Sequence, residues 1–341
     1  MTYRLSLFFA VVGIFVLVVA APPGFTAGQE TKVPYPKDKS VRAGTTGTAS
    51  SAYVAWVALA KAVQKTVPGV NFTVVETGAA VENTKRLLAG QFEIIHQTTT
   101  NSYYLWNGLS GFQKNQDIRE LLPLMYGPQP AFVRADTQIR SFKDLDGKDF
   151  SAGARGSTTE ITWLRIFDIL GIKPKLYRGG YNDIVEAYQN GRIIGFSKGG
   201  IGLDMRDGVV MDAHSQFPVR MLGFSEAEIK KLSAKDAMPE LSWVPFKASL
   251  YTKDAPDVQI PSFNITAQTL RDRISEEMAY WIVRAAFENK AEMAKTFTGA
   301  DFDWPEMIRT FPVPLHSGAV RYLNEIGVKL PGHLIPPEYR R

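Results

Sequence analysis

The pattern that most constrains this chain occurs in it twice: a short strand, a loop of small polar residues, then an apolar helix. The first copy has a strand near Val41–Ala43, the loop Gly44–Ser51 (GTTGTASS) and the almost wholly apolar run Ala52–Val63 (AYVAWVALAKAV). The second has a strand leading to Gly153, the loop Gly153–Glu160 (GARGSTTE) and the helix Ile161–Leu170, stopped by Gly171. A helix that is apolar all round has to be covered on every side. Strands and helices alternate around these copies. NFTVVET (Asn71–Thr77) and QFEIIHQ (Gln91–Gln97) read as strands. Gly78–Leu88 reads as a loop and a helix, with Gly90 as its cap. Two strand-like stretches flank Pro128, Asp183–Gly191 reads as a helix, and Arg192–Phe196 reads as a strand. This alternation predicts an α/β protein with mainly parallel sheets. The repeated loop predicts two lobes built alike, each presenting one such loop.

The loops carry chemistry as well as shape. The first four N–H groups of a helix lack partners inside it, and the macrodipole adds about half a positive charge there. Glycines let a ligand approach the backbone, and hydroxyls add donors. Two such ends facing each other across a cleft would hold a carboxylate or phosphate. Arg155, in the second loop, is placed to pair with an acid in bidentate fashion. Ordinary N-capping by Ser50, Ser51, Ser157 or Thr158 is the competing explanation. The segment from His96 to Asn101 follows a buried strand, and ligands of open α/β sheets sit beyond strand ends. Gln97, Thr98 and Asn101 are therefore candidate hydrogen-bonding groups, with Tyr53, Tyr104 and Tyr181 near the loops.

Several functions are excluded or demoted. The 341 residues include no cysteine, so disulfides, thiol nucleophiles and Cys-metal sites are ruled out. The four histidines show no zinc spacing, and neither a Walker A sequence nor a dinucleotide fingerprint is present. The net charge of +5 is not gathered into a Lys/Arg run, so no nucleic-acid partner is expected. Gly195-Phe196-Ser197-Lys198-Gly199 matches the G-x-S-x-G nucleophile elbow, with His316 and His333 downstream, which leaves an esterase using Ser197 as an alternative. Arg4, the apolar run Leu5–Ala20 and a small-residue exit make residues 1–27 a signal peptide, with an uncleaved anchor as the alternative. Export to the periplasm follows.

Four segments carry a family resemblance. GTTGTASSAYVAWVALAKAV, TGAAVENTKRLLAGQFEIIHQTTTNSYYLWNG, RADTQIRSFKDLDGKDFSAGARGSTTE and PVPLHSGAVRYLNEIG (Pro312–Gly327) resemble the TAXI family, the extracytoplasmic solute receptors of TRAP transporters. The last is the most specific match. The resemblance covers residues 40–330 and implies a type II periplasmic-binding-protein fold, two α/β lobes with a ligand cleft between them. It implies a first lobe over 40–130, a second over 131–249, and a return to the first, with C-terminal helices, over 250–341. It implies no enzyme activity and no cofactor, and capture of a small organic acid or amino acid, such as a dicarboxylate or a glutamate-like molecule. A TRAP membrane subunit would receive the solute. A solute sensor docking on a membrane kinase or an ABC permease would share the fold. The site positions implied are Thr45, Thr46, Thr48, Ser51 and Tyr53, then Asn83, Gln97 and Thr98. Gly156, Ser157 and Thr158 follow in the second loop, then Gly199 and Gly200. The chain departs from the family by having Thr48-Ala49-Ser50-Ser51 and Ala52-Tyr53 where Gly-Gly and Tyr-Tyr are usual, and Arg155-Gly156 where Pro-Gly is usual. Arg155 would favour an anion.

Overall fold

The computed structural model of the chain describes residues 33–340, apart from Ala49, residues 201–202, 204–205, 235–236, Pro239 and 298–301. The signal-peptide expectation over 1–27 lies outside the described residues. From the start, β1 (Ser40–Gly44), α1 (Ser51–Thr66), β2 (Asn71–Val75), α2 (Ala80–Leu88), β3 (Ile94–Thr98) and α3 (Thr99–Asn107) alternate as the sequence pattern requires. The long strand β4 (Ile118–Pro128) then leads across to β5 (Ala131–Arg134). A second alternating run follows: β6 (Asp149–Ser151), α4 (Thr158–Leu170), β7 (Lys175–Leu176), α5 (Tyr181–Gln189), β8 (Gly195–Ser197), α6 (Gly208–Gln216), β9 (Val219–Leu222) and α7 (Glu226–Leu232). The chain returns through β10 (Ser242–Phe246) and β11 (Val258–Leu270) and finishes with α8 (Glu276–Glu288), α9 (Lys290–Thr296), α10 (Trp304–Arg309) and α11 (Ser317–Glu325).

Two sheets result. The first runs β10-β11-β3-β1-β2, with β4 also paired to β11, and the second runs β7-β6-β8-β5-β9. Both lie within one unit, Tyr35–Arg341. Only the strands joined through helices are parallel: β1 with β2 and β3, and β6 with β7 and β8. β11 is antiparallel to β3, β4 and β10, and β5 is antiparallel to β8 and β9. The expectation of mainly parallel sheets is corrected to two mixed sheets. The reason is connectivity, because β5 and β11 enter their sheets from crossing segments rather than by a helical crossover. β10 pairs with β11 in the first sheet, although residues 131–249 were expected in the second lobe.

Alternation explains how the second sheet is buried on both faces. Phe132 of β5 packs with Tyr188, Phe196 and Val210, while its neighbours Ala131 and Val133 pack with Phe142, Phe150 and Trp163 on the other side. In the first lobe, α1 packs on β2 and also against α8 and α9. That double cover is why Ala55, Trp56, Leu59 and Val63 are all fully buried. Pro312–Gly327 proves to be a packing device. His316 caps α11 by accepting the Gly318 N–H at 3.3 Å. A Cβ on Gly318 would lie 2.1 Å from the Glu276 carbonyl, so glycine lets α11 close directly onto α8. Among the described residues no helix is long and apolar enough to cross a membrane.

Candidate functional site

Both repeated loops open onto one cavity of about 520 Å³. Thr46, Gly47, Thr48 and Ser50 line it from the first lobe, and Ala154, Arg155, Ser157, Thr158 and Thr159 line it from the second. Each loop is built to present its helix end. Ser50 caps α1 by accepting the Ala52 N–H, and Ser157 caps α4 by accepting the Glu160 N–H at 3.2 Å. Gly156 adopts φ +75, a conformation that suits glycine, and its N–H donates to Glu160 Oε2 at 2.7 Å. Arg178 holds the other oxygen of that carboxylate at 2.6 Å. Both oxygens of Glu160 are thus engaged, and the Thr158 and Thr159 N–H groups at the head of α4 have no acceptor among the described residues. Thr158 and Thr159, at the positive end of a helix dipole, themselves line the cavity.

The rest of the lining divides by charge. Arg155 and Lys198 are cationic, and Glu76 and Asp183 are anionic. The two cations differ in kind. Arg155 is exposed, and its guanidinium makes no ion pair among the described residues. Lys198 is 2% exposed. Its ammonium donates to the Gly199 carbonyl at 2.9 Å, stands 3.4 Å from Asp207 Oδ2 and lies over the Tyr181 ring. At 3.4 Å the pair is held by Coulomb attraction more than by a good hydrogen bond, which fits an Asp207 Oδ2 without a hydrogen-bond partner. Glu76 Oε1 accepts the Thr48 N–H at 2.9 Å, and Asp183 Oδ2 accepts the Gly180 N–H at 2.8 Å, so both acids also brace loops.

Of the positions implied by sequence, Thr46, Thr48, Thr98, Arg155, Ser157, Thr158, Gly199 and Gly200 line the cavity. Thr45, Ser51, Tyr53, Asn83, Gln97 and Gly156 do not. Thr45 turns its hydroxyl to the Val75 carbonyl. Ser51 bonds the Gly200 carbonyl at 3.3 Å, bridging the lobes. Tyr53 sits on α1 outside the lining. Asn83 is fully buried, donates to the Thr45 and His96 carbonyls and accepts from Thr77, so it fastens the floor and has nothing left for a ligand. Gln97 faces away from the cavity. Consecutive strand residues take opposite faces: His96 reaches Trp56 on α1, whereas Gln97 reaches Thr84 on α2. His96, Glu76, Thr159, Tyr181, Asp183 and Lys198 line the cavity without having been assigned to it from sequence. The alternating-face rule applied to β3 would have found His96.

Among the described residues, side-chain hydrogen bonds join the lobes beside this cavity. Besides the Ser51 contact, Thr98 and Thr158 meet hydroxyl to hydroxyl at 3.2 Å. Tyr104 of α3 donates to Glu240 at 2.6 Å, and Arg165 of α4 donates to the same phenol oxygen at 2.9 Å. The elbow-like pentapeptide has a packing explanation. A Cβ on Gly195 would lie 2.2 Å from the Phe132 carbonyl, and one on Gly199 would lie 2.3 Å from Gln129 and Thr159. Ser197 is fully buried and outside the cavity lining. His316 bonds Gly318 and Arg271, and His333 bonds Phe311, so both rings are engaged within the C-terminal part of the chain. Among the described residues the Ser197 hydroxyl has no hydrogen-bond partner, so the esterase alternative finds no base beside it. Among the described residues no group of three or more acidic or histidine side chains is placed to hold a metal.

The two-sheet architecture recurs in solved structures. A protein from Bordetella bronchiseptica RB50 superposes with a TM-score of 0.50 at 14% identity, covering 89% of this chain and 87% of that one. A chain from Listeria monocytogenes, named as a candidate L-cystine ABC transporter, gives a TM-score of 0.51 at 14% identity, covering 78% and 98%. At such identities the likeness establishes the fold, the two-lobed periplasmic-binding type. Residues 43–327 match the model of the NMT1-like family, and the chain belongs to that family.

Proposed function

We propose that this chain is an extracytoplasmic solute receptor of the TAXI type. It captures a small organic anion, a dicarboxylate or a glutamate-like amino acid, and delivers it to a TRAP transporter membrane subunit. One observation carries the reading: the two glycine-containing loops, one from each lobe, line a single cavity that is also lined by Arg155, which makes no ion pair among the described residues. Fold and family support it, as does a lining made of helix-end donors, hydroxyls and charges. The membrane partner and the periplasmic location come from the sequence resemblance and the signal-like N-terminus. The solute is held between the lobes, and their closure excludes water from the charges it meets.

Arg155 is the rim anchor in this scheme. Arg155→Ala is expected to weaken an anionic solute about tenfold, as loss of a charge-assisted pair does. Titration calorimetry against a panel of organic acids and amino acids measures this. An unchanged dissociation constant would remove Arg155 from the site, and absence of binding by every acid and amino acid would overturn the receptor reading.

A further inference from the structure

We infer that His96 is a fixed hydrogen-bond donor at the floor of the cleft, its Nε2–H offered to an acidic oxygen of the solute, and that Trp56 is the positioning residue that fixes it. The inference rests on the cleft being the solute site, and it names what that site reads at its floor.

Trp56 is fully buried, and its indole N–H can only donate. The acceptor it finds is His96 Nδ1, at 3.3 Å. A neutral imidazole that accepts at Nδ1 carries its proton on Nε2. Burial, helped by the nearby Lys198 ammonium, holds the His96 pKa down to about 3, so the ring stays neutral. His96 is 5% exposed and lines the cavity, and its Nε2 has no partner among the described residues. A histidine kept only to satisfy the tryptophan would have its second nitrogen paired in the protein or turned to bulk water. Here the ring lines the cavity, which leaves that nitrogen open to what fills the cleft. Lys198 adds positive potential beside it, and Thr98, two residues along β3, presents its side chain from the same face. An N–H donor next to a desolvated ammonium selects a carboxylate or sulfonate oxygen and rejects an ammonium group. Arg155 at the rim then gathers the anion, and the floor identifies it.

The test uses the full chain labelled with ¹⁵N-histidine, its four histidines separated in long-range ¹H–¹⁵N spectra with His96→Gln as the assignment control. Without added solute, His96 is expected to show a protonated Nε2 and an unprotonated Nδ1, and Trp56→Phe is expected to lose that fixed tautomer. Sodium acetate should shift the His96 Nε2 resonance to saturation, whereas methylammonium chloride at matched ionic strength should not. In calorimetry with L-glutamate and with succinate, His96→Phe should bind about tenfold more weakly than wild type, and His96→Gln, which keeps a donor, should retain most of the affinity. A ligand-free Nδ1–H tautomer, or no response to acetate, overturns the inference. Full affinity of His96→Phe overturns it too while leaving the receptor intact. If neither solute binds the wild type, that result counts against the receptor reading, and the tautomer and acetate measurements still decide His96.

Discussion

Lys198→Ala is expected to destabilise the folded chain by about 3–5 kcal/mol, the cost of removing one partner from a buried ion pair. The magnitude follows from what is left behind. Asp207 is 3% exposed and lies between three elements. Its Oδ1 caps α6 by accepting the Val209 and Val210 N–H groups, and its own N–H donates to the Tyr251 hydroxyl at 2.8 Å. Among the described residues its Oδ2 has no hydrogen bond and is paired with the Lys198 charge. Without the ammonium, a buried carboxylate oxygen loses its compensation, and the 198–200 segment loses its tie to α6. Asp207→Asn added to Lys198→Ala should recover part of the loss, because the amide still caps the helix and carries no charge. Urea unfolding of the wild type, the single variant and the pair measures this. A loss under about 1 kcal/mol in Lys198→Ala would mean that the pair is hydrated and not a brace.

The second large effect is a pH dependence set by Glu120. This carboxyl is fully buried in the first lobe, with Oε1 bonded by Ser102 at 2.5 Å and Gln268 at 3.1 Å, and with no well-formed hydrogen bond to Oε2 among the described residues. Burial pushes its pKa up from 4.5 to about 7. A raised carboxyl pKa means that the folded state binds the proton more tightly than the unfolded chain does. The stabilisation is then fully present below pH 4.5 and is lost as pH rises through about 7. At 1.36 kcal/mol per pKa unit the loss comes to about 3 kcal/mol. His96 works in the opposite direction. Its pKa, lowered to about 3, gives stability that is present above pH 6.5 and lost as pH falls towards 3. Glu120→Gln separates the two, since it keeps the shape and removes the upper window. The variant should become the more stable form relative to wild type as pH goes from 5 to 8. Unfolding curves that stay parallel over that range would contradict a protonated Glu120.

What the sequence revealed of the site, and what it hid, divides by range. The loops Gly44–Ser51 and Gly153–Glu160 were legible because capping is local chemistry: a serine, a few glycines and the helix that follows. Their meeting in one cavity was legible only as symmetry between the two copies. Lys198 was hidden because its partner Asp207 and its neighbour Tyr181 come together through the fold, and nothing at Lys198 itself announces a buried ammonium. Gln97 was assigned in place of His96 because β3 is buried on both faces and its burial alone does not mark the cavity side, although alternation from Thr98 points to His96. Asn83 was assigned to the ligand by resemblance, whereas its amide is used within the floor. The mixed character of the sheets was missed because the crossing strands β4, β5 and β11 look, as sequence, like strands of a parallel sheet.

A receptor of this kind grips one guest with both lobes and does not change it. Hydrogen exchange measured with and without the tightest-binding acid from a thermal-shift panel tests this most directly, since ligand contact and closure both slow backbone exchange. Residues 45–51 and 154–159 are expected to gain protection together, at the same acid concentration, with the acid recovered unaltered. Protection confined to one of the two loops, or conversion of the acid to a product, would contradict it.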